Sequence, residues 1–125
     1  MSAISTKNLI AVVDDDELVR GALQRLLKAS SLGAVSFGSA EDLLKSGQLP
    51  DIACLIVDIR MPGMSGLELQ TKLKAERCRI PIIFITAHGD AKMQTEAMRD
   101  GAVKFLAKPF DNTVLLEAVH AALED

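Results

Sequence analysis

Five apolar, strand-like runs alternate with five helical patterns along the whole chain, and this alternation narrows the possible folds more than any other feature. The runs are Leu9–Val13, Ala34–Phe37, Ile52–Val57, Ile82–Ile85 and Val103–Leu106. Between the first two, Leu18, Ala22 and Leu26 recur every fourth residue, as do Val19, Leu23 and Leu27, which predicts a helix over Glu17–Ala29. Ser39 opens a short helix with Asp42 three residues on. Ser65 and Glu68 repeat that capping signature before Leu67, Leu69 and Leu73. Asp90 is expected to cap the fourth helix and Gly101 to follow its end. The fifth helix should start near Asp111 and carry Leu115, Val119 and Leu123.

Strand-helix pairs in this number imply a parallel sheet covered on both faces. The first, third and fourth runs are continuously apolar, as central strands should be. The second and fifth are shorter or more mixed, as edges should be. With right-handed crossovers, the expectation is an α/β, (βα)5 flavodoxin-like sheet of order 2-1-3-4-5 with helices on both faces. No linker, repeat or low-complexity segment interrupts the 125 residues, so residues 1–125 are read as a single domain.

Ligands of such sheets bind beyond the carboxyl ends of the strands, at the switch point between strands one and three. Polar residues stand at those ends. Strand one runs into Asp14, Asp15 and Asp16; strand three ends in Asp58; strand four ends in Thr86; strand five is followed by Lys108 and Pro109. Strand two offers only Phe37 and Gly38. Across adjacent strands, Asp14 or Asp15 would lie near Asp58. Two like charges about 4 Å apart repel by roughly 1 kcal/mol in water and about 4 kcal/mol at an effective dielectric of 20. One lysine cannot neutralise three carboxylates. A hard divalent cation can, and oxygen ligands in an open cleft suit Mg²⁺. A carboxylate beside that ion can attack phosphorus, with Lys108 and the Thr86 hydroxyl binding the equatorial oxygens as charge develops.

Composition excludes several other roles. A formal net charge of −3 gives no global nucleic-acid surface. The longest apolar runs are too short to span a bilayer. The first residues, "MSAISTKNLIAVV", lack the pattern of a secretory leader, so the expected compartment is the cytoplasm. Cys54 and Cys78 make no metal-ligand spacing and are read as reduced, with Cys54 a small buried hydrophobe. A haloacid-dehalogenase-like phosphohydrolase would use the Asp14-x-Asp16 spacing. However, Leu18 stands where that family wants Thr or Val, and the chain leaves no room for a cap. A flavin or nucleotide binder would need a phosphate cradle after strand one, where this chain places three carboxylates.

Four stretches together, "LIAVVDDDELVRGAL", "CLIVDIRMPGMSGLEL", "IIFITAHGD" and "VKFLAKPF", resemble the receiver domain of bacterial two-component response regulators, from Leu9 to about Leu123. "DIRMPGMSG" and "TAHGD" are most similar to receivers joined to LuxR-type helix-turn-helix outputs. The resemblance implies that Asp58 is the phosphoacceptor. It implies a Mg²⁺ held by Asp15, Asp58 and the backbone carbonyl of Arg60, with Asp14 acting mainly through water. Thr86 and Lys108 match the family's hydroxyl and lysine, and Phe105 its switch aromatic. A cis Lys108-Pro109 bond is implied as well. The function to expect is acceptance of a phosphoryl group from a histidine kinase, followed by a change in the surface of helix four, strand five and helix five. That change would control the protein's own or a separate output domain of DNA-binding type, through a phosphorylation-dependent homodimer. On this reading the domain assists its own phosphorylation and hydrolysis but is no enzyme of free metabolites, and it binds neither DNA nor membrane itself. Arg60 and His88 are expected to rim the phosphoryl site and lengthen the phosphate's lifetime.

Overall fold

The computed structural model describes residues 9–87 and 91–124. Its elements are β1 (Leu9–Val13), α1 (Glu17–Ala29), β2 (Gly33–Phe37), α2 (Ala40–Lys45), β3 (Ile52–Asp58), α3 (Gly66–Ala75), β4 (Ile82–Thr86), α4 (Ala91–Arg99), β5 (Lys104–Ala107) and α5 (Asn112–Glu124). All neighbouring strands pair in parallel, in the order β2-β1-β3-β4-β5. Both edge strands sit one residue off the sequence expectation, β2 starting earlier at Gly33 and β5 ending later at Ala107.

The central strands are apolar throughout because both of their faces are covered. Ala11, Val13, Leu55, Val57 and Phe84 point to one face, under Leu43 of α2, Leu69 and Leu73 of α3 and Ala97 of α4. Ile10, Val12, Cys54, Ile56, Ile83 and Ile85 point to the other, under Leu23 and Leu27 of α1 and Leu115 and Val119 of α5. Burial pushes the Cys54 thiol pKa up to about 12, so it stays a neutral hydrophobe. No described helix is long and apolar enough to cross a membrane.

Helix ends follow their local chemistry. Asp16 caps α1 by accepting from the amides of Leu18 and Val19, and Asp111 does the same for Thr113 and Val114 in α5. Ser65 and Glu68 form a reciprocal capping box on α3. At α2, Ser39 accepts from the Asp42 amide, 3.0 Å away. Gly101 takes a φ of +101° just past α4, the left-handed conformation that a helix end asks of glycine. The expected Asp90 cap lies outside the described residues.

Helix α1 has the bounds that its periodicity predicts, and the structure shows which of its apolar residues the sheet takes, Leu26 packing half-buried beside them. Val19, Leu23 and Leu27 face the sheet, whereas Leu18 is 83% exposed and Ala22 is exposed too. The sheet covers only one side of the helix, and two adjacent apolar rows compete for it. Helix α4 is the thinnest in burial. Ala97 is its one buried residue among those described, Met93 is half-buried, and Met98 is exposed. A buried hydrogen bond ties it to α3, from Gln70 Nε2 to the Ala97 carbonyl at 3.0 Å.

Candidate functional site

The carboxyl ends of β1, β3, β4 and β5 converge on one polar cluster. Asp14 follows β1 directly, and its amide donates to the Phe37 carbonyl of β2 at 3.1 Å. Asp58 is the last residue of β3, paired in register with Ile85 of β4. The amide of Ile59 donates to the Ile85 carbonyl, and the amide of Lys108 to the Thr86 carbonyl at 2.8 Å. Asp14, Asp58 and Thr86 are all buried, while Asp15 is exposed at the mouth.

The lysine crosses the cluster. Its Nζ lies 2.9 Å from Asp14 Oδ2 and 3.3 Å from Asp58 Oδ2. The other oxygens of the two carboxylates take backbone donors: the Asp16 amide reaches Asp14 Oδ1 at 2.8 Å, and the Arg60 amide reaches Asp58 Oδ1 at 3.1 Å. The Lys108-Pro109 bond is cis, as the resemblance implied.

Charge is not balanced here. Burial, then the neighbouring charge of Asp14, push the Asp58 carboxyl above the ordinary carboxylate value, against the pull of Lys108 and the Arg60 amide. Burial works against the Lys108 ammonium. The hydrogen bond and charge of Asp14, followed by those of Asp58, outweigh it and hold the lysine above its usual value. One carboxylate oxygen each from Asp14, Asp15 and Asp58 fall within 4.8 Å of one another. Such an all-oxygen, partly solvated cluster with one ammonium among three carboxylates suits a hard divalent cation.

The remaining expectations fall nearby. Arg60 is exposed on the loop after β3, and its guanidinium nitrogen lies 3.7 Å from Met93 Sδ of α4. Phe105 of β5 is half-buried against the core layer that holds Ala97 and Phe84. His88 lies outside the described residues.

Three supporting residues escaped sequence reasoning. Arg20 of α1 donates to the Asp14 carbonyl at 2.7 Å and lies against Gly38. Glu41 of α2 accepts from the Met64 amide at 3.0 Å. Gly66 opens α3 so close to β3 that a Cβ there would meet the Asp58 carbonyl oxygen at 2.7 Å and Ile59 Cα at 2.9 Å. Only the last leaves a sequence signal, a glycine where a helix former would otherwise serve after the Ser65 cap.

A buried aspartate thus stands at the end of β3, bridged by lysine to a second acid. The response regulator receiver domain family matches residues 10–120, and the chain belongs to that family. Among its relatives, nodulation protein W of Bradyrhizobium diazoefficiens is 50% identical over 121 residues, covering 96% of this chain and 53% of that protein. The transcriptional regulatory protein FixJ of Azorhizobium caulinodans is 43% identical over 114 residues, covering 91% of this chain and 54% of that protein. The crystal structure of FixJ-N superposes with a TM-score of 0.83 at 42% identity, covering 93% of each chain. The chain thus spans about half the length of the curated relatives it matches. It is a receiver domain of two-component response regulators, with the five-stranded fold that the family shares.

Proposed function

We propose that Asp58 is the phosphoacceptor, receiving a phosphoryl group from the phosphohistidine of a histidine kinase. An Asp58 carboxylate oxygen attacks phosphorus, the P–N bond to the donor imidazole breaks, and an aspartyl phosphate results. Hydrolysis later releases inorganic phosphate and restores the carboxylate. The observation that carries this reading is the Lys108 ammonium lying between Asp14 Oδ2 and Asp58 Oδ2 at the end of β3. There it can follow the charge onto a phosphoryl oxygen.

Asp14, Asp15, Asp58 and the Arg60 carbonyl would hold Mg²⁺, which supplies positive charge to the phosphoryl oxygens when bound. Lys108 binds one of those oxygens and the Thr86 hydroxyl another. Arg60 rims the group and, together with His88, slows the approach of water. The domain's only chemistry is its own phosphorylation and dephosphorylation.

Thr86 drawn toward the phosphoryl group makes room beside β5, Phe105 turns inward, and the α4-β5-α5 surface changes. That surface then pairs with a second copy and controls an output domain, of the DNA-binding kind in keeping with relatives named transcriptional regulators. Moving such an equilibrium from 1:99 to 99:1 takes about 5.5 kcal/mol. A few charge-assisted hydrogen bonds supply most of it.

Intact-mass measurement with Mg²⁺ and a small acyl-phosphate donor tests the chemistry. Wild type should gain one phosphoryl group, and full labelling of Asp58→Asn would place the acceptor elsewhere. Light scattering with beryllofluoride tests the switch. Wild type should dimerise and Thr86→Ala should stay mostly monomeric, and equal dimerisation of both would break the link from hydroxyl to surface.

A further inference from the structure

The loop from Ile59 to Ser65 joins the end of β3 to α3 and closes back on Asp58 through the Arg60 amide, 3.1 Å from Asp58 Oδ1. Its ends are well determined. The Gly66 amide donates to the Ile59 carbonyl at 2.8 Å, and the Ser65-Glu68 capping box fixes the entry to α3. Its middle is reached from elsewhere in the fold. Glu41, in the first turn of α2, places Oε2 3.0 Å from the Met64 amide, a bond between residues 23 apart in sequence. The same carboxylate covers Gly63, whose φ is +75° and where a Cβ would meet Oε2 at 2.6 Å. A side chain there would have to push the Glu41 carboxylate aside, and the backbone conformation itself favours glycine. The backbone bond from Met64 draws the Glu41 carboxyl below the ordinary carboxylate value, so the acceptor is charged at neutral pH.

We propose that Glu41 is a positioning residue for the phosphoacceptor site: its carboxylate holds the Met64 amide and thereby sets the loop that presents the Arg60 amide and carbonyl to Asp58 and its cation. The inference rests on the reading of Asp58 and Mg²⁺ given above. Glu41 touches no reacting atom and acts only through the loop. Groups one step removed from metal ligands commonly change metal affinity by about 10–100-fold when removed.

Reach and charge separate this role from a general electrostatic one. Glu41→Gln keeps an oxygen of the right reach and loses the charge; Glu41→Asp keeps the charge and retracts it by one methylene. The measurement is Mg²⁺ titration followed by amide NMR of the Asp58–Arg60 segment, together with hydrogen exchange of the Met64 amide. Glu41→Ala and Glu41→Asp should expose the Met64 amide to faster exchange and weaken Mg²⁺ binding about tenfold. Glu41→Gln should stay near wild type in both. The reverse pattern, with Glu41→Asp normal and Glu41→Gln weakened, would replace positioning by charge. Wild-type Mg²⁺ affinity in Glu41→Ala despite faster Met64 exchange would overturn the proposal outright. Wild-type protein that neither binds Mg²⁺ nor accepts a phosphoryl group on Asp58 would instead overturn the reading on which it rests. Glu41 is a half-exposed helix position where alanine is well tolerated, and the aspartate and glutamine variants report even if alanine does not fold.

Discussion

The ends of β1 and β3 and the α4-β5 side of the sheet are built to different standards. Around Asp14 and Asp58, backbone donors occupy one oxygen of each carboxylate and Lys108 the other. The strands beneath are fully buried from Ile10 to Val13 and from Cys54 to Val57. On the other side, α4 buries Ala97 alone among its described residues, and β5 is a four-residue edge with Leu106 inside, Phe105 half inside and two residues out. Phosphoryl transfer needs fixed geometry and a switch needs an element that gives. On the proposed reading, the first falls over the dense packing and the second over the thin. Lys108 and Thr86 lie at the seam.

The sharpest way to break this contrast is chemical. Asp58→Asn should abolish phosphoryl uptake, read by intact mass, while Met98→Ala on the thin side should leave it unchanged. Packing gives the next largest difference. Leu27→Ala, at a fully buried position, should cost about 2–5 kcal/mol in urea unfolding. Gly66→Ala should cost about 1–3 kcal/mol or more, because the obstructing atoms belong to the β3 backbone and cannot swing aside.

Metal-free buffer should reveal the charge stored in the dense half. Asp15→Asn should stabilise the protein by about 1 kcal/mol, and added Mg²⁺ should raise the wild-type urea midpoint more than the mutant's. The sign with pH follows from the raised carboxyl of Asp58. Its proton favours the folded state, so stability is fullest below the ordinary carboxylate value and falls as pH rises through the raised one. Asp58→Asn should flatten that fall, and an unchanged slope would contradict it. Smallest of all, Met98→Ala should move stability by no more than about 0.5 kcal/mol. A cost like that of Leu27→Ala would mean that α4 is as firmly seated as α1.

What was legible in the sequence was mainly periodic or terminal. The strand order followed from which runs were apolar throughout, and the cluster from what stood at their carboxyl ends. Capping at Ser65 and the turn at Gly101 are local chemistry and were legible for that reason. The buried face of α1 was not, since Leu18-Ala22-Leu26 and Val19-Leu23-Leu27 satisfy the same spacing, and the sheet takes the second row with Leu26 of the first. Arg20 and Glu41 were hidden more deeply. Their partners are a backbone carbonyl and a backbone amide, which every residue offers, so nothing in the sequence announces the pairing.

The hydrogen bond from Gln70 to Ala97 has a mechanical meaning. It grips α4 near its carboxyl end, where Lys74 also lies 3.7 Å from Asp100. Ala91, at the opposite end, stands roughly 9 Å away along the axis at 1.5 Å per residue. At the amino-terminal end, Met93 packs against the core layer and meets the Arg60 guanidinium beside the acidic cluster. The helix is thus held at two points of different kind, a buried hydrogen bond near one end and a softer thioether contact near the other. A displacement near the aspartate would therefore reach α4 first through the softer of its two attachments, with the Gln70 bond as the pivot.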